Sequence, residues 1–370
     1  MTTTEHANNV PASTVSELQT MIADSVNRLF ADQVTADLRR AFDRGDNRPA
    51  LALQELVAEL GLDRALVPTE ADGSGASWAE TYPVFRAIGF AQAPLPLAES
   101  MLARLLLARA GIAQPEGELT IIEASRQASL TQTGSTLSGT ATAVPWARSA
   151  QWAVISTTDR QLLLVDLQQD GVSISAADNL AAEPRDSVVF EVAHITAAQP
   201  RPFASLSEPV WFLGAMIRSA MLVGALECVL TEAVNHANTR VQFGKPLGKF
   251  QAIQQALATV AGAIASARVA TRVAFDAAPV DDQTRSTLAF DIAVAKIRCG
   301  EAATLATNVT HQVLGAIGFT QEHTLHFATR RLWSWRAEFG SDASWAQALG
   351  EAAIAAGGDG FWQKLTARAL

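Results

Sequence analysis

Apolar and polar positions along this chain change rhythm twice. From residue 13 to 112 the apolar positions recur at the three-to-four-residue spacing that lines one face of an α-helix. Thr14 followed by Glu17 fits a capping box ahead of VSELQTMIADSVNRLFADQV. LALQELVAELGLDRALVP repeats the pattern, with Gly61 as a C-cap. Two further helices, SWAETYPVFRAIGFAQ and LAESMLARLLLARAG, are separated by the breaker Ala93-Pro94-Leu95-Pro96. Between 118 and 200 the runs become short, alternating and β-branched, as in QWAVISTTD, RQLLLVDLQQD and DSVVFEVAHI. Their connections are short, so hairpins and an antiparallel sheet are expected. From 206 onward helical spacing returns in four long segments, 208–240, 249–278, 284–314 and 341–368, which predict a four-helix bundle.

The expected fold class is therefore α+β: an N-terminal all-α domain, a small middle antiparallel β domain and a C-terminal four-helix bundle. The expected boundaries are a disordered start over 1–12, then 13–117, 118–204 and 205–370. Hydrophobic residues make up 49% of the 370 and charged residues 18%. This leans apolar for a globular chain, and subunit interfaces are one place to bury the excess. Net charge is −9, so no affinity for nucleic acid or an anionic membrane surface is expected. The first residues lack a basic and an apolar region, so they do not form a signal peptide. No apolar run reaches the length of a membrane span. Cys228 and Cys299 sit in apolar helical patterns and are expected to be buried free thiols of a cytoplasmic protein.

Chemistry concentrates at two turns. Residues 240–254 read Arg-Val-Gln-Phe-Gly-Lys-Pro-Leu-Gly-Lys-Phe-Gln-Ala-Ile-Gln, at the bend between the first two bundle helices. Turn geometry accounts for the Gly and Pro, and a helix C-terminus favours a cation such as Arg240. Neither accounts for Arg, Gln, Lys and Gln meeting at one bend. Residues 312–319 read Gln-Val-Leu-Gly-Ala-Ile-Gly-Phe, where Gly315 serves equally as a helix cap or as a close approach to a ligand. His311, His323 and His326 lie nearby at spacings that match no metal site. Trp333 and Trp335 suit core or interface. Arg330, Arg331 and Arg336 either meet a phosphate or form salt bridges with Glu338 and Asp342.

Both segments, with the α–β–α order, resemble the acyl-CoA dehydrogenase family over nearly the whole chain. The resemblance implies FAD as cofactor, an acyl-CoA thioester as substrate, electron-transfer flavoprotein as electron acceptor, and a homo- or hetero-oligomer with another chain of the family. It implies that Arg240 contacts the FAD diphosphate, that Phe243 and Gln251 line its adenosine half in the neighbouring subunit, and that Leu247 is a cofactor contact. A guanidinium suits a diphosphate because it donates bidentate, charge-assisted bonds. Gln312, Gly315, Ala316 and Ser341 are implied as further cofactor contacts. Ala316 stands where the family has Gly, and Gly318 is expected to allow close backbone approach.

The resemblance fails where an active member needs a carboxylate to take the substrate's α-proton. One family position falls at Gly214, within a run from Pro209 to Leu226 that contains no acid. The other falls on Phe339, with Glu338 one residue early; on a helix that step is a rotation of ~100°. The loop that serves the flavin ring also looks reduced, reading Thr120-Ile121-Ile122-Glu123-Ala124-Ser125, and its usual Trp-Ile-Ser/Thr strand is replaced by Trp152-Ala153-Val154-Ile155-Ser156-Thr157. Glu338 is therefore the only catalytic candidate at a family position, and the chain resembles the partner-type subunit of a heteromeric enzyme. A self-sufficient homomeric enzyme using Glu338 and a flavin-free structural relative remain the alternatives, with a monooxygenase of the same fold behind them.

Overall fold

The computed structural model describes residues 16–278 and 287–366. The expected disordered start and the Thr14 cap lie outside them. Ser16 caps the first helix instead, its hydroxyl accepting from the Gln19 N–H and donating to Glu80. The N-terminal helices are α1 (Glu17–Gln33), α2 (Ala36–Asp43), α3 (Arg48–Glu59), α4 (Trp78–Ala91) and α5 (Leu97–Arg109). Gly61 follows α3 at φ 66° and receives the chain as it leaves the helix, a conformation a side chain would strain. Ser77 and Glu80 form the capping box that starts α4.

The middle region runs β1 (Leu119–Glu123), the single turn α6 (Ala124–Gln127), β2 (Ala128–Thr133), β3 (Thr136–Pro145), β4 (Trp152–Ser156), β5 (Gln161–Asp166), β6 (Val172–Ser175) and β7 (Arg185–Pro200). The spatial order is β1-β4-β5-β7-β3-β2, with β6 also on β7. Sequence neighbours joined by short turns, β2–β3 and β4–β5, pair antiparallel. The sheet is nevertheless not purely antiparallel, because β1 pairs parallel to β4. The chain leaves β1 through α6, β2 and β3 before it returns, a crossover that short-connection reasoning passes over.

Both faces of β1, β4 and β5 are buried, which explains runs such as Leu162-Leu163-Leu164-Val165. Leu162 and Leu164 join Ile121 and Val154 in the core of the flanking helices. Leu163 and Val165 join Ile122 and Ile155 in the interior of the β region. The period-2 alternation thus sorts one strand between two cores.

The C-terminal helices are α7 (Pro209–Thr239), α8 (Gln251–Ala277), α9 (Leu288–Leu314), α10 (Leu325–Ala337) and α11 (Asp342–Thr366). A fifth helix, α10, therefore joins the four expected ones, and Gly357 breaks the helical backbone within α11. A two-stranded ribbon, β8 (Val241–Gln242) and β9 (Lys245–Pro246), links α7 to α8. Contrary to the sequence expectation, α7 and α8 are each long and apolar enough to cross a membrane by length and composition. The apolar window of α7 is 83% buried, as befits the central core helix, whereas that of α8 is only 22% buried. Val269 and Val273 on α8 are exposed at 62% and 42%.

Candidate functional site

The first bend is built by a strained hairpin. α7 ends at Arg240, whose backbone is extended and whose carbonyl accepts from the Leu247 N–H. The guanidinium is exposed and makes no hydrogen bond or ion pair with any described residue. Phe243 and Gly244 both take positive φ, 52° and 77°, the requirement of a two-residue type I′ turn that ordinarily selects Asn-Gly. A bulky side chain at positive φ costs on the order of 1–3 kcal/mol and persists where function needs it. Phe243 is 89% exposed, and its ring meets that of Phe250 edge to face with centroids 6.1 Å apart. Leu247 is half-buried and Gln251, the first residue of α8, is exposed. The turn therefore presents a cation, an aromatic ring and an amide on one bend.

The second segment lies at the same end of the bundle. The residues just after it, His323 and Thr324, reach Glu232 in the last turns of α7, at 3.9 and 3.5 Å. Gln312, Gly315 and Ala316 are exposed, and Gly315 ends α9 at φ 65°. Gly318 has a further reason besides the one expected. It is buried, and a Cβ there would stand 3.0 Å from Leu314 and 3.3 Å from His311 Nδ1, so packing already favours glycine at this position. His311 stacks on the exposed Phe319 at 4.4 Å. Among the described residues no group of His, Cys, Asp or Glu could hold a metal. Cys299 is buried and Cys228 half-buried, and both thiols are free.

Glu338 stands elsewhere and is already engaged. It caps the end of α10 with extended backbone, φ −70° and ψ 141°, so the helical rotation expected to separate it from Phe339 does not apply. Its carboxylate accepts from Arg185 Nε at 2.8 Å and Nη2 at 3.0 Å, from Arg218 Nε at 2.7 Å and from Asn179 at 3.1 Å. Of the neighbouring arginines, Arg336 pairs with Asp342 as expected, whereas Arg330 goes to Asp43 and Arg331 to Glu183. Burial opposes the charge of Glu338, but the two guanidiniums win and hold its pKa down to about 2. A carboxylate so stabilised is a poor base at neutral pH. Lys296, 1% exposed, donates to the carbonyls of Trp335, Arg336 and Glu338, and burial lowers its pKa to about 7. Ser341 accepts from the Ser344 N–H at 3.1 Å and so caps α11.

Phe339 follows at φ 51° and lies over Gly214. The two positions at which a family base was sought are thus in contact and carry no carboxylate. Beside them a cleft of about 620 Å³ opens between the β region and the bundle, walled by Trp211, Trp333, Phe339, Leu180, Thr142, Ala143 and Pro145, with Arg126, Arg185 and Glu338 also in its lining. β3 bulges between Ala141 and Val144, which turns Thr142 and Ala143 into this cleft. The strand that begins at Trp152, read as replacing the family's Trp-Ile-Ser/Thr strand, pairs with β1 and β5, and Trp152 Nε1 donates to the Glu116 carbonyl.

Sequence reasoning also missed Glu123. At 1% exposure it accepts from the Val210 and Trp211 N–H groups at 3.1 and 3.4 Å, satisfying the N-terminus of α7 from the β region. Burial raises its pKa to about 7. Period-2 patterning marks Glu123 only as the end of a strand; nothing in it points to α7.

The family model described as acyl-CoA dehydrogenase, N-terminal domain, matches residues 16–114, and that for the C-terminal domain matches 213–354. The chain belongs to the acyl-CoA dehydrogenase family. It is 29% identical over 316 residues to acyl-CoA dehydrogenase FadE34 of Mycobacterium tuberculosis, covering 81% of this chain but only 42% of that protein. It is 23% identical to acyl-CoA dehydrogenase IpdE2 of Mycolicibacterium smegmatis, covering 86% of this chain and 93% of that one. Among solved structures, a chain of the ChsE4-ChsE5 complex from Mycobacterium tuberculosis superposes with a TM-score of 0.82 at 21% identity, covering 91% and 97% of the two chains. Such a likeness establishes the shared acyl-CoA dehydrogenase fold, helices about a curled sheet.

Proposed function

We propose that this chain is the partner subunit of an FAD-dependent acyl-CoA dehydrogenase assembly and completes the FAD site of a second, catalytic chain. The observation that carries this reading is the pairing of Gly214 with Phe339, which leaves both family base positions without an acid. A solved relative is a complex of two chains, ChsE4 and ChsE5, which supports a heteromeric assembly.

The bend at 240–251 fits a dinucleotide. Arg240 is a cation unmatched among the described residues, and Phe243 is an aromatic surface held out at a cost in backbone strain. Arg240 would hold the diphosphate, Phe243, Leu247 and Gln251 the adenosine, and the exposed backbone from Gly315 to Ala316 would approach alongside Gln312. Ser341 already caps a helix, so any cofactor contact it makes uses its hydroxyl hydrogen or its second lone pair. When bound, FAD supplies a hydride acceptor for the Cβ of an acyl-CoA thioester. This chain supplies binding and orientation, and the proton is taken by the partner. Its sparsely covered helix α8 is the surface proposed for that partner, and electron-transfer flavoprotein is the acceptor proposed for the assembly.

Expressed alone, the chain should be colourless, and it should turn yellow and active only with a catalytic partner chain. Arg240→Ala should weaken FAD retention by that complex by roughly tenfold to a hundredfold, from the ~1.5–3 kcal/mol of a charge-assisted bond. Full FAD occupancy in Arg240→Ala on cofactor titration would remove the assignment. Glu338→Gln distinguishes the self-sufficient alternative. Turnover per folded, FAD-loaded complex should stay within a few-fold of wild type, because a carboxylate already shared by two guanidiniums is not free to take a proton. A fall of several orders of magnitude with FAD content intact would favour a self-sufficient enzyme instead.

A further inference from the structure

We propose that Phe339 is a plug that shuts the outer cleft off from the apolar gap behind it and so bars an acyl chain from entering this chain. The proposal rests on the partner-subunit reading and adds to it a physical reason why this chain takes no substrate.

Three observations carry it. First, the ring fills the space a side chain on α7 would need. A Cβ at Gly214 would stand 2.6–2.8 Å from three carbons of the Phe339 ring, so the ring and the glycine require one another. Second, Phe339 is a partition. On its outer side is the cleft of about 620 Å³. On its inner side is a gap with no room for a water molecule, walled by Ala98 and Leu102 of α5, Ile121 of β1 and Ile217 of α7, and floored by the Glu99–Arg218 ion pair. The inner walls come from all three regions of the fold, and they are apolar except at that floor. Third, the plug is held in a conformation that its own backbone resists. Phe339 has φ 51° and Gly340 has φ 91°. Trp345 Nε1 donates to the Phe339 carbonyl at 2.9 Å, and Lys296 Nζ to the Glu338 carbonyl at 2.8 Å. The Arg218 guanidinium lies 5.5 Å from the ring centroid, and Trp211 meets the ring edge to face at 6.1 Å. Strained residues persist only where the surroundings over-determine them, and here bonds on both sides of the residue do so.

Shortening the side chain should join the inner gap to the outer cleft. The apolar walls of the space so opened, Ala98, Leu102, Ile121 and Ile217, suit a small apolar molecule. The test uses the full chain, with its partner present where assembly requires it, and benzene as the probe. Phe339→Ala should melt lower than wild type, and saturating benzene should raise its melting temperature by a measurable step while leaving wild type unmoved. Benzene stabilising both proteins equally, or neither, would overturn the plug.

If Phe339→Ala does not fold, the contact is read from Gly214→Ala against Gly214→Ala/Phe339→Leu. The single variant should lower the midpoint and the double should recover part of the loss; independent effects would refute the contact. Titration of wild-type assembly with a non-reactive acyl-CoA thioether should saturate at one per pair. Two per pair would sink the plug while leaving FAD retention through Arg240 as a separate question, since neither the benzene nor the thioether readout depends on turnover.

Discussion

Arg218→Met should cost about 3–5 kcal/mol of stability, the range for removing one partner of a buried ion pair. Arg218 is 2% exposed on α7 and bonds two carboxylates at once, Glu99 of α5 and Glu338 after α10. Its loss would leave the Glu99 carboxyl, itself 2% exposed, with no guanidinium partner among the described residues. Glu338 would retain Arg185, so the larger part of the cost should fall on Glu99. Adding Glu99→Gln to Arg218→Met should therefore recover a substantial part of the loss. The pH dependence has a definite sign. Glu338 is held near 2 in the folded protein against an ordinary value of 4.5, so its contribution is complete above the ordinary value and is lost as pH falls toward 2. In Arg218→Met one of its two guanidiniums is gone, so acid unfolding should begin at higher pH than in wild type. Equal urea midpoints for wild type and Arg218→Met at neutral pH would refute the account.

Local rules carried much of this fold, and the failures share one cause. Helix spacing and the Gly61 cap are consequences of neighbouring residues, and the helices they predict are present. The alternation in Leu162–Val165 is also local, although it conceals that both faces are buried. What sequence reasoning missed depends on residues far apart in the chain. The β1–β4 parallel pair brings together strands separated by a whole hairpin. The arginines that hold Glu338 come from positions 185 and 218 rather than from the basic run beside it, because Arg330, Arg331 and Arg336 point to other carboxylates. At the candidate site the acid-free run around Gly214 was legible, and so was Phe339 at the second position. Their mutual contact was not, because neither glycine nor phenylalanine announces its partner. Phe243 in an Asn-Gly-type turn is the converse case, where a locally unfavourable residue marks a surface with another purpose.

The crossing of α4 and α7 sets the frame in which these residues meet, and Gly224→Ala should test it with an outcome of opposite sign to helix propensity. In a helix interior Gly→Ala ordinarily gains ~1 kcal/mol. Gly350 on α11 is exposed, and a Cβ added there would meet nothing within 4 Å, so Gly350→Ala should show that gain. At Gly224 a Cβ would stand 1.9 Å from the Arg86 carbonyl oxygen, and at Gly89 it would stand 1.9 Å from that of Met221. Each obstacle is backbone, which cannot rotate aside, so the helices would have to separate. Overpacking a core ordinarily costs about 1–3 kcal/mol; with backbone against backbone, a net loss of about 3 kcal/mol or more is expected for Gly224→Ala. The consequence reaches the site because α7 also carries Gly214 and Arg218. A shift of α7 from α4 would loosen the Phe339 ring from Gly214 and strain the Glu99–Arg218 pair together, so Gly224→Ala should bind benzene more readily than wild type as well as unfold at lower urea. A higher urea midpoint for Gly224→Ala would mean that the helices have room to spare, and the rigid seat proposed for Phe339 would lose its support.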